Sequence, residues 1–97
     1  MYVLTLTYLV DLDRVDEVRD AHMAWIAEQY EAGRFLASGP KVPRDGGVIL
    51  ARQMDRDELD EVIASDPFTQ EGVAAYDVVE FRAMTVAEGL ELLKERV

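Results

Sequence analysis

The sequence predicts a small α+β domain, in which two helices pack on one face of an antiparallel sheet. Three observations lead to this fold class. The chain has 97 residues, and single domains commonly hold roughly 100–150. Segments with a strand-like period of two alternate with segments of helical period. Their order, β-α-β-β-α-β, is that of a ferredoxin-like domain. We therefore expect one domain over residues 1–97, with an additional helix at its C-terminal end.

The first strand and the first helix have clear signals. Residues 2–10 are rich in Leu, Val, Thr and Tyr, which favour strands. A helix capped by Asp11 or Asp13 is expected to run to about Ala32, and Gly33 suits the left-handed position that ends it. Its inner stripe follows helical spacing and consists of Val15, Val18, His22, Ile26 and Tyr30, with Trp25 beside it.

The middle of the chain predicts a hairpin. A second strand covers residues 34–39 and ends at Pro40. Residues 41–47 form the connecting loop, with Asp45-Gly46 as its turn signal. A short third strand follows at residues 48–51.

The second half predicts a helix, a break, a strand and a closing helix. Asp55 caps a helix that reaches about Ser65 and turns Leu59, Val62 and Ile63 inward. Asp66 precedes a proline and is therefore disfavoured in helical conformation, so it ends this helix and caps a further turn over residues 67–71. A fourth strand is expected at residues 73–84. An amphipathic helix over residues 86–96 would carry Leu90, Leu92 and Leu93.

The second face of the sheet predicts a homodimer. Helices cover only one face in this architecture, and a large exposed apolar patch is unusual for a soluble monomer. The fourth strand would place one of two sets there, either Ala74, Tyr76 and Val78 or Val73, Ala75 and Val79. Two sheets packed face to face would cover the patch and enclose a cavity. Tyr8 and Tyr76 either line this inter-sheet pocket or serve packing alone.

Composition excludes several classes of function. The chain has 20 acidic and 10 basic residues, a net charge of −10, and no cysteine. Such a surface repels phosphate backbones, so nucleic-acid binding is not expected. No apolar run approaches the roughly 20 residues that span a bilayer, and no basic leader precedes the first strand. We expect a cytoplasmic protein without membrane partners.

Three segments in this order resemble the YCII-related (YciI-like) family. They are a helix with one inward histidine (residues 21–25), a strand entering a small-residue turn (residues 33–40), and the break Ser-Asp-Pro-Phe at residues 65–68, followed by Gly72-Val73. The resemblance covers nearly the whole chain apart from the closing helix. It implies a dimeric α+β barrel with a pocket near the histidine.

The resemblance also implies that His22 and Asp66 form a catalytic pair with Ser38 beside them. Imidazole suits general acid–base chemistry, although a lone inward histidine is also compatible with a plain core role. Asp66 either orients the imidazole or only caps the following turn, and a carboxylate with two oxygens can do both. Ser38 either binds a ligand or merely ends a strand, and Gly39 leaves backbone accessible beside it.

These residues favour an enzyme without a cofactor. The resemblance implies lyase-like chemistry on a small cyclic or aromatic substrate. Lyase or isomerase chemistry needs neither a metal nor a nucleotide, and one histidine among scattered carboxylates offers no metal-ligand spacing. Two alternatives stay open. One is a binding or accessory module with the same pocket, and the other is a purely structural dimerisation domain.

Overall fold

The computed structural model describes residues 1–96 of the chain. This part contains four strands and three α-helices. In chain order they are β1 (Tyr2–Tyr8), α1 (Leu12–Glu31), β2 (Phe35–Pro40), β3 (Gly46–Ala51), α2 (Arg56–Ala64), α3 (Pro67–Gln70) and β4 (Ala74–Glu80). All neighbouring strands pair antiparallel, in the order β2-β3-β1-β4. The structure is the predicted small α+β fold, a four-stranded antiparallel sheet with helices.

The helix α1 begins and ends at the predicted signals. The side chain of Asp11 accepts a hydrogen bond from the backbone N–H of Arg14 at 3.1 Å. Gly33, just beyond the helix, has φ +77°, a conformation that costs glycine little. The buried residues of α1 are Val15, Val18, His22, Trp25, Ile26 and Gln29. Tyr30, predicted on the inner stripe, lies at its edge and is 39% exposed. No helix within residues 1–96 is long and apolar enough to cross a membrane.

One face of the sheet forms the core together with the helices. Tyr2, Leu4 and Leu6 alternate along β1 and are buried, because successive side chains of a strand point to opposite faces. They belong to one apolar cluster that also contains Val15 of α1 and Leu59 of α2. This packing fixes which residues of β1 face the helices.

The opposite face of the sheet carries a row of apolar residues. Val3 pairs with Leu50 of β3 and with Val79 of β4, so an apolar row crosses three strands. Val79 at the end of this row is 58% exposed. Tyr76 and Val78 pack against the core instead, so Ala75 and Val79 of the second predicted set are exposed, whereas its third member, Val73, is buried in the core.

The strand β3 begins at Gly46, two residues earlier than predicted. Glycine allows this start, because the backbone of β3 lies very close to that of β1 at this position. A Cβ atom at Gly46 would lie 1.8 Å from the carbonyl oxygen of Leu6, which no side chain can occupy. The residue predicted to be part of the turn is therefore the first residue of the strand. The connecting loop shortens to residues 41–45.

The predicted helix over residues 86–96 is wrong. Only Glu91–Leu93 forms a single 3-10 turn. Leu90 is 50% exposed and Leu92 is 92% exposed, so the apolar stripe has no surface to pack on. Helices shorter than roughly 12–15 residues are marginal in water without such packing. Gly89, at φ +93°, adds a further interruption.

The fourth strand is also shorter than predicted, since β4 ends at Glu80 and not at Met84. From there to residue 96 the 3-10 turn at Glu91–Leu93 is the one element of regular structure. Glu95 fixes the far end of this segment by accepting hydrogen bonds from the amino group of Met1 at 2.7 Å and from the backbone N–H of Ala83 at 2.8 Å. An ion pair and hydrogen bonds therefore tie this segment to Met1, and the buried Ala83 adds an apolar contact.

Candidate active site

The histidine of α1 and the aspartate that follows α2 meet in the interior. The Nδ1 atom of His22 lies 2.7 Å from Oδ1 of Asp66. His22 is 7% exposed and Asp66 is fully buried. The two residues are 44 positions apart in the chain, and the packing of α3 against α1 brings them together.

Three groups surround the carboxylate of Asp66. Its Oδ1 atom also accepts the backbone N–H of Phe68 at 2.9 Å, and its Oδ2 atom accepts the hydroxyl of Tyr76 at 2.6 Å. A buried carboxylate needs such donors, because removing a charge from water is costly unless it is paired and hydrogen-bonded. An ionised carboxylate can only accept, so the geometry assigns the proton to Nδ1 of His22.

With the proton on Nδ1, the other ring nitrogen of His22, Nε2, is unprotonated. Within residues 1–96 it has no hydrogen-bond partner in the protein, and His22 lines a pocket. A neutral imidazole with its Nδ1 proton held by a carboxylate presents a lone pair at Nε2. This nitrogen can take a proton from a bound molecule and later return it.

The local sequence explains the position of Asp66. Pro67 follows it and forces extended backbone, and Asp66 has φ −67° and ψ 125°. As the N-cap of α3 it directs its side chain back to the N–H of Phe68. The same oxygen, Oδ1, thus caps α3 and contacts His22. Asp66 therefore serves both as a helix cap and as the partner of the imidazole.

Aromatic rings hold the imidazole in place. The ring of Phe68 stacks on His22 with centroids 3.8 Å apart and planes 5° from parallel. Tyr8 packs edge-on against the same phenylalanine at 6.1 Å. Trp25 lies 5.7 Å from His22 and donates its Nε1–H to the hydroxyl of Ser65 at 2.8 Å. These contacts restrict rotation of the imidazole and fix the direction of Nε2.

A pocket of about 280 Å³ opens beside the imidazole. It lies between α1, α3, the sheet and the loop over residues 41–45 of the same chain. Its lining includes Leu6, Tyr8, His22, Ile26, Ser38 and Gly39. This pocket lies on the helix-covered face of the sheet, and the predicted cavity between the sheets of two subunits stays a prediction. Tyr8 follows Leu4 and Leu6 in the alternation of β1, which places it on this face as well.

Of the four residues predicted to bind a ligand, three line the pocket and one does not. Tyr8, Ser38 and Gly39 line the pocket beside His22. The Ser38 hydroxyl forms a 2.7 Å hydrogen bond with the hydroxyl of Tyr30. Tyr76 is not among the lining residues found within residues 1–96, and its hydroxyl donates to Asp66 from behind. Burial raises the pKa of Tyr76, and the negative charge of Asp66 raises it further, so this hydroxyl stays protonated.

Two arginines were absent from the predicted site. Arg19 and Arg44 both line the pocket. Arg19 lies three residues before His22, a spacing that places both on one side of a helix, so helical periodicity would have found it. Arg44 comes from the loop over residues 41–45, and only the folded position of that loop brings it near. Asp16 of α1 accepts its hydrogen bond at 2.5 Å and raises the pKa of Arg44.

The site has no evident place for a metal ion. Within the described part of the chain, no group of three His, Asp or Glu side chains lies close enough to hold one.

The fold and the site define a small α+β protein with a buried His–Asp pair at the base of a pocket. The family model of the YCII-related domain matches residues 1–82, and the chain belongs to this family. No curated protein matches it. Among solved structures it is similar to 5-chloro-2-hydroxyhydroquinone dehydrochlorinase (TftG) from Burkholderia phenoliruptrix, determined in complex with 2,5-dihydroxybenzoquinone. The two are 19% identical with a TM-score of 0.70, over 84% of this chain and 94% of the other.

Proposed function

We propose that the protein is a cofactor-independent enzyme of lyase or isomerase type, which uses His22 as general acid and base on a small cyclic or aromatic substrate. One observation carries the proposal. His22 holds a buried carboxylate through Nδ1 at 2.7 Å and lines a pocket with the same ring. Such an arrangement suits proton transfer at neutral pH, and a plain core histidine does not need it.

The roles of the pair follow from the hydrogen bonds. Nε2 of His22 removes a proton from the substrate, and the positive charge that develops on the ring is stabilised by Asp66. In a lyase reaction the electron pair left by the proton expels a leaving group as an anion. In an isomerase reaction the same histidine returns the proton at another atom. Three hydrogen bonds hold the carboxylate of Asp66 in place beside the ring.

The size and lining of the pocket support a single-ring substrate. An apolar cavity of about 150 Å³ holds benzene, so about 280 Å³ leaves room for one substituted ring. Leu6 and Ile26 supply apolar contacts, and Ser38 and Gly39 bring polar atoms to the lining, where the Ser38 hydroxyl can still accept a hydrogen bond beside the one it shares with Tyr30. The solved neighbour acts on a chlorinated hydroquinone, which makes this compound the natural first substrate to test.

The same proposal includes a homodimer with a ferredoxin-like arrangement in each subunit. The row formed by Leu50, Val3 and Val79 gives the sheet an apolar face that a second copy would cover. A two-fold dimer buries one such face against another, which suits a chain too short to build a large core alone. The pocket lies on the other side of the sheet, so each subunit would carry its own site. A location in the cytoplasm stays a prediction.

The variant His22→Asn tests the catalytic role. The asparagine amide can keep a donor near the position of Nδ1, and it removes the nitrogen that corresponds to Nε2. With 5-chloro-2-hydroxyhydroquinone as substrate and chloride release as the assay, we expect turnover to fall by about 10²–10⁴. The melting temperature should change little by comparison. Equal turnover in the variant would end the proposal.

The alternative of a binding module makes a different prediction for the same variant. Ring compounds would bind without turnover in the wild type, and His22→Asn would change affinity alone. A purely structural domain predicts that no ring compound raises the melting temperature, since a ligand of the native state stabilises it.

A further inference from the structure

The charges around the pocket contrast with those of the whole chain. Arg19 and Arg44 are the side chains with a full charge among its lining residues, and no Asp or Glu of residues 1–96 is found there. The chain nevertheless has 20 acidic and 10 basic residues. The charged side chains that line the pocket are therefore both basic, in contrast to the acidic excess of the whole chain.

The two arginines are not equivalent. Arg44 donates to Asp16 and lies over the ring of Tyr8, with its guanidinium carbon 5.9 Å from the ring centroid. It is held in place and partly neutralised. Arg19 has no ion-pair or side-chain hydrogen-bond partner within residues 1–96, and it is exposed at the rim. Its donors are free to bind a ligand.

We propose that the pocket binds an anionic single-ring molecule, whose acidic group is held by Arg19 while its ring lies beside His22. This rests on the proposed function only in using the same pocket, because it concerns binding and not turnover. A guanidinium matches a carboxylate or a similar pair of oxygens with two parallel N–H donors. Arg19 lies one helical turn from His22 on α1, a separation of about 5 Å along the helix axis. One ring spans that distance.

The negative charge of the protein strengthens the argument. A net charge of −10 repels anions at long range, so a local positive group favours the binding of an acidic ligand. An uncharged ligand lacks the charge attraction to that group. Discrimination between an acid and its neutral analogue is thus the property that measures the role of Arg19.

Benzoate and benzamide provide a matched pair of probes, since they share shape and differ in charge. The chain has a single histidine, so the ring proton signals of His22 report binding in this pocket without ambiguity. Titrations followed by NMR should give an affinity for benzoate at least about ten-fold above that for benzamide, as expected for one charge-assisted hydrogen bond. The preference should weaken as salt concentration rises.

Three variants locate the effect. Arg19→Gln should lower the affinity for benzoate about ten-fold and leave that for benzamide unchanged. Arg19→Lys keeps the charge and should restore part of the preference. Arg52→Gln is the matched control, since Arg52 is exposed, is not among the lining residues of the pocket and undergoes the same change of charge. It should alter neither affinity.

The outcomes separate this inference from the proposed function. Equal affinities for the two probes, no effect of Arg19→Gln, or no binding of either probe would overturn the anionic ligand, whatever the result of the turnover assay. A preference for benzoate that depends on Arg19 would support it even if the protein turned over no substrate. In that case the enzyme proposal alone would fail.

Discussion

The hydroxyl of Tyr76 should contribute measurably to stability through its bond to Asp66. In Tyr76→Phe the ring keeps its packing against the core, and only the donor to Oδ2 is lost. No other group within residues 1–96 donates to this oxygen, and the carboxylate is fully buried. A hydrogen bond to a charged group contributes about 1.5–3 kcal/mol. Tyr76 is half-buried, so a water molecule entering the gap would bring the loss toward the lower value.

Equilibrium unfolding in urea measures this loss. For a small domain with a slope of about 1–2 kcal/mol per molar urea, the midpoint should fall by about 1–2 M. Wild type and variant must be compared at one protein concentration, because any association stabilises the folded state. Tyr30→Phe is the matched control, since it removes a hydroxyl bonded to Ser38 near the surface and should cost under about 0.5 kcal/mol. A change that small in Tyr76→Phe would refute the assigned role of the hydroxyl.

Three further predictions concern the same interior and the strand beside it. Asp66→Ala leaves buried donors without an acceptor and should lower the free energy of unfolding by about 3–5 kcal/mol in the same urea assay. Asp66→Asn keeps an acceptor, so its loss of stability should be less than half as large. Burial raises the pKa of Tyr76 in the folded state, so its contribution is present below the unfolded pKa of about 10 and is lost as pH rises above it. Between about pH 9 and pH 11 the wild type should therefore lose about 1.4 kcal/mol more stability than Tyr76→Phe, and parallel curves would contradict this. Gly46→Ala should lower the melting temperature sharply or prevent folding, because its Cβ would overlap the carbonyl of Leu6, while Gly39→Ala has open space and should melt near the wild type.

Local signals in the sequence predicted most of the architecture. The alternation of Leu4 and Leu6 in β1, the cap at Asp11 and the break before Pro67 each act within a few residues, and the structure has all three. The helix over residues 86–96 failed because its leucines needed a packing surface. Whether such a surface exists is decided by the tertiary structure and not by the local pattern.

Only part of the candidate site was predicted, because the rest also depends on tertiary structure. His22 and Asp66 carried signals of their own, and the fold joins them. The position of Tyr76 behind Asp66 depends on the register of β4 against β1, which the sequence left open between two sets. Arg44 depends on how a loop folds back toward α1. Interactions that span several elements were thus the ones that the sequence alone could not specify.

The most direct test of the central claim is the tautomer of His22. Nitrogen chemical shifts of the imidazole, recorded by long-range ¹H–¹⁵N NMR at about pH 8.5, distinguish protonated from unprotonated ring nitrogens above the range where histidine ordinarily titrates. The single histidine makes the assignment unambiguous. We expect a protonated Nδ1 and an unprotonated Nε2 in the wild type, and a change in this pattern in Asp66→Asn. A proton on Nε2 with a bare Nδ1, or identical spectra in the two proteins, would contradict the pairing on which the proposed chemistry rests.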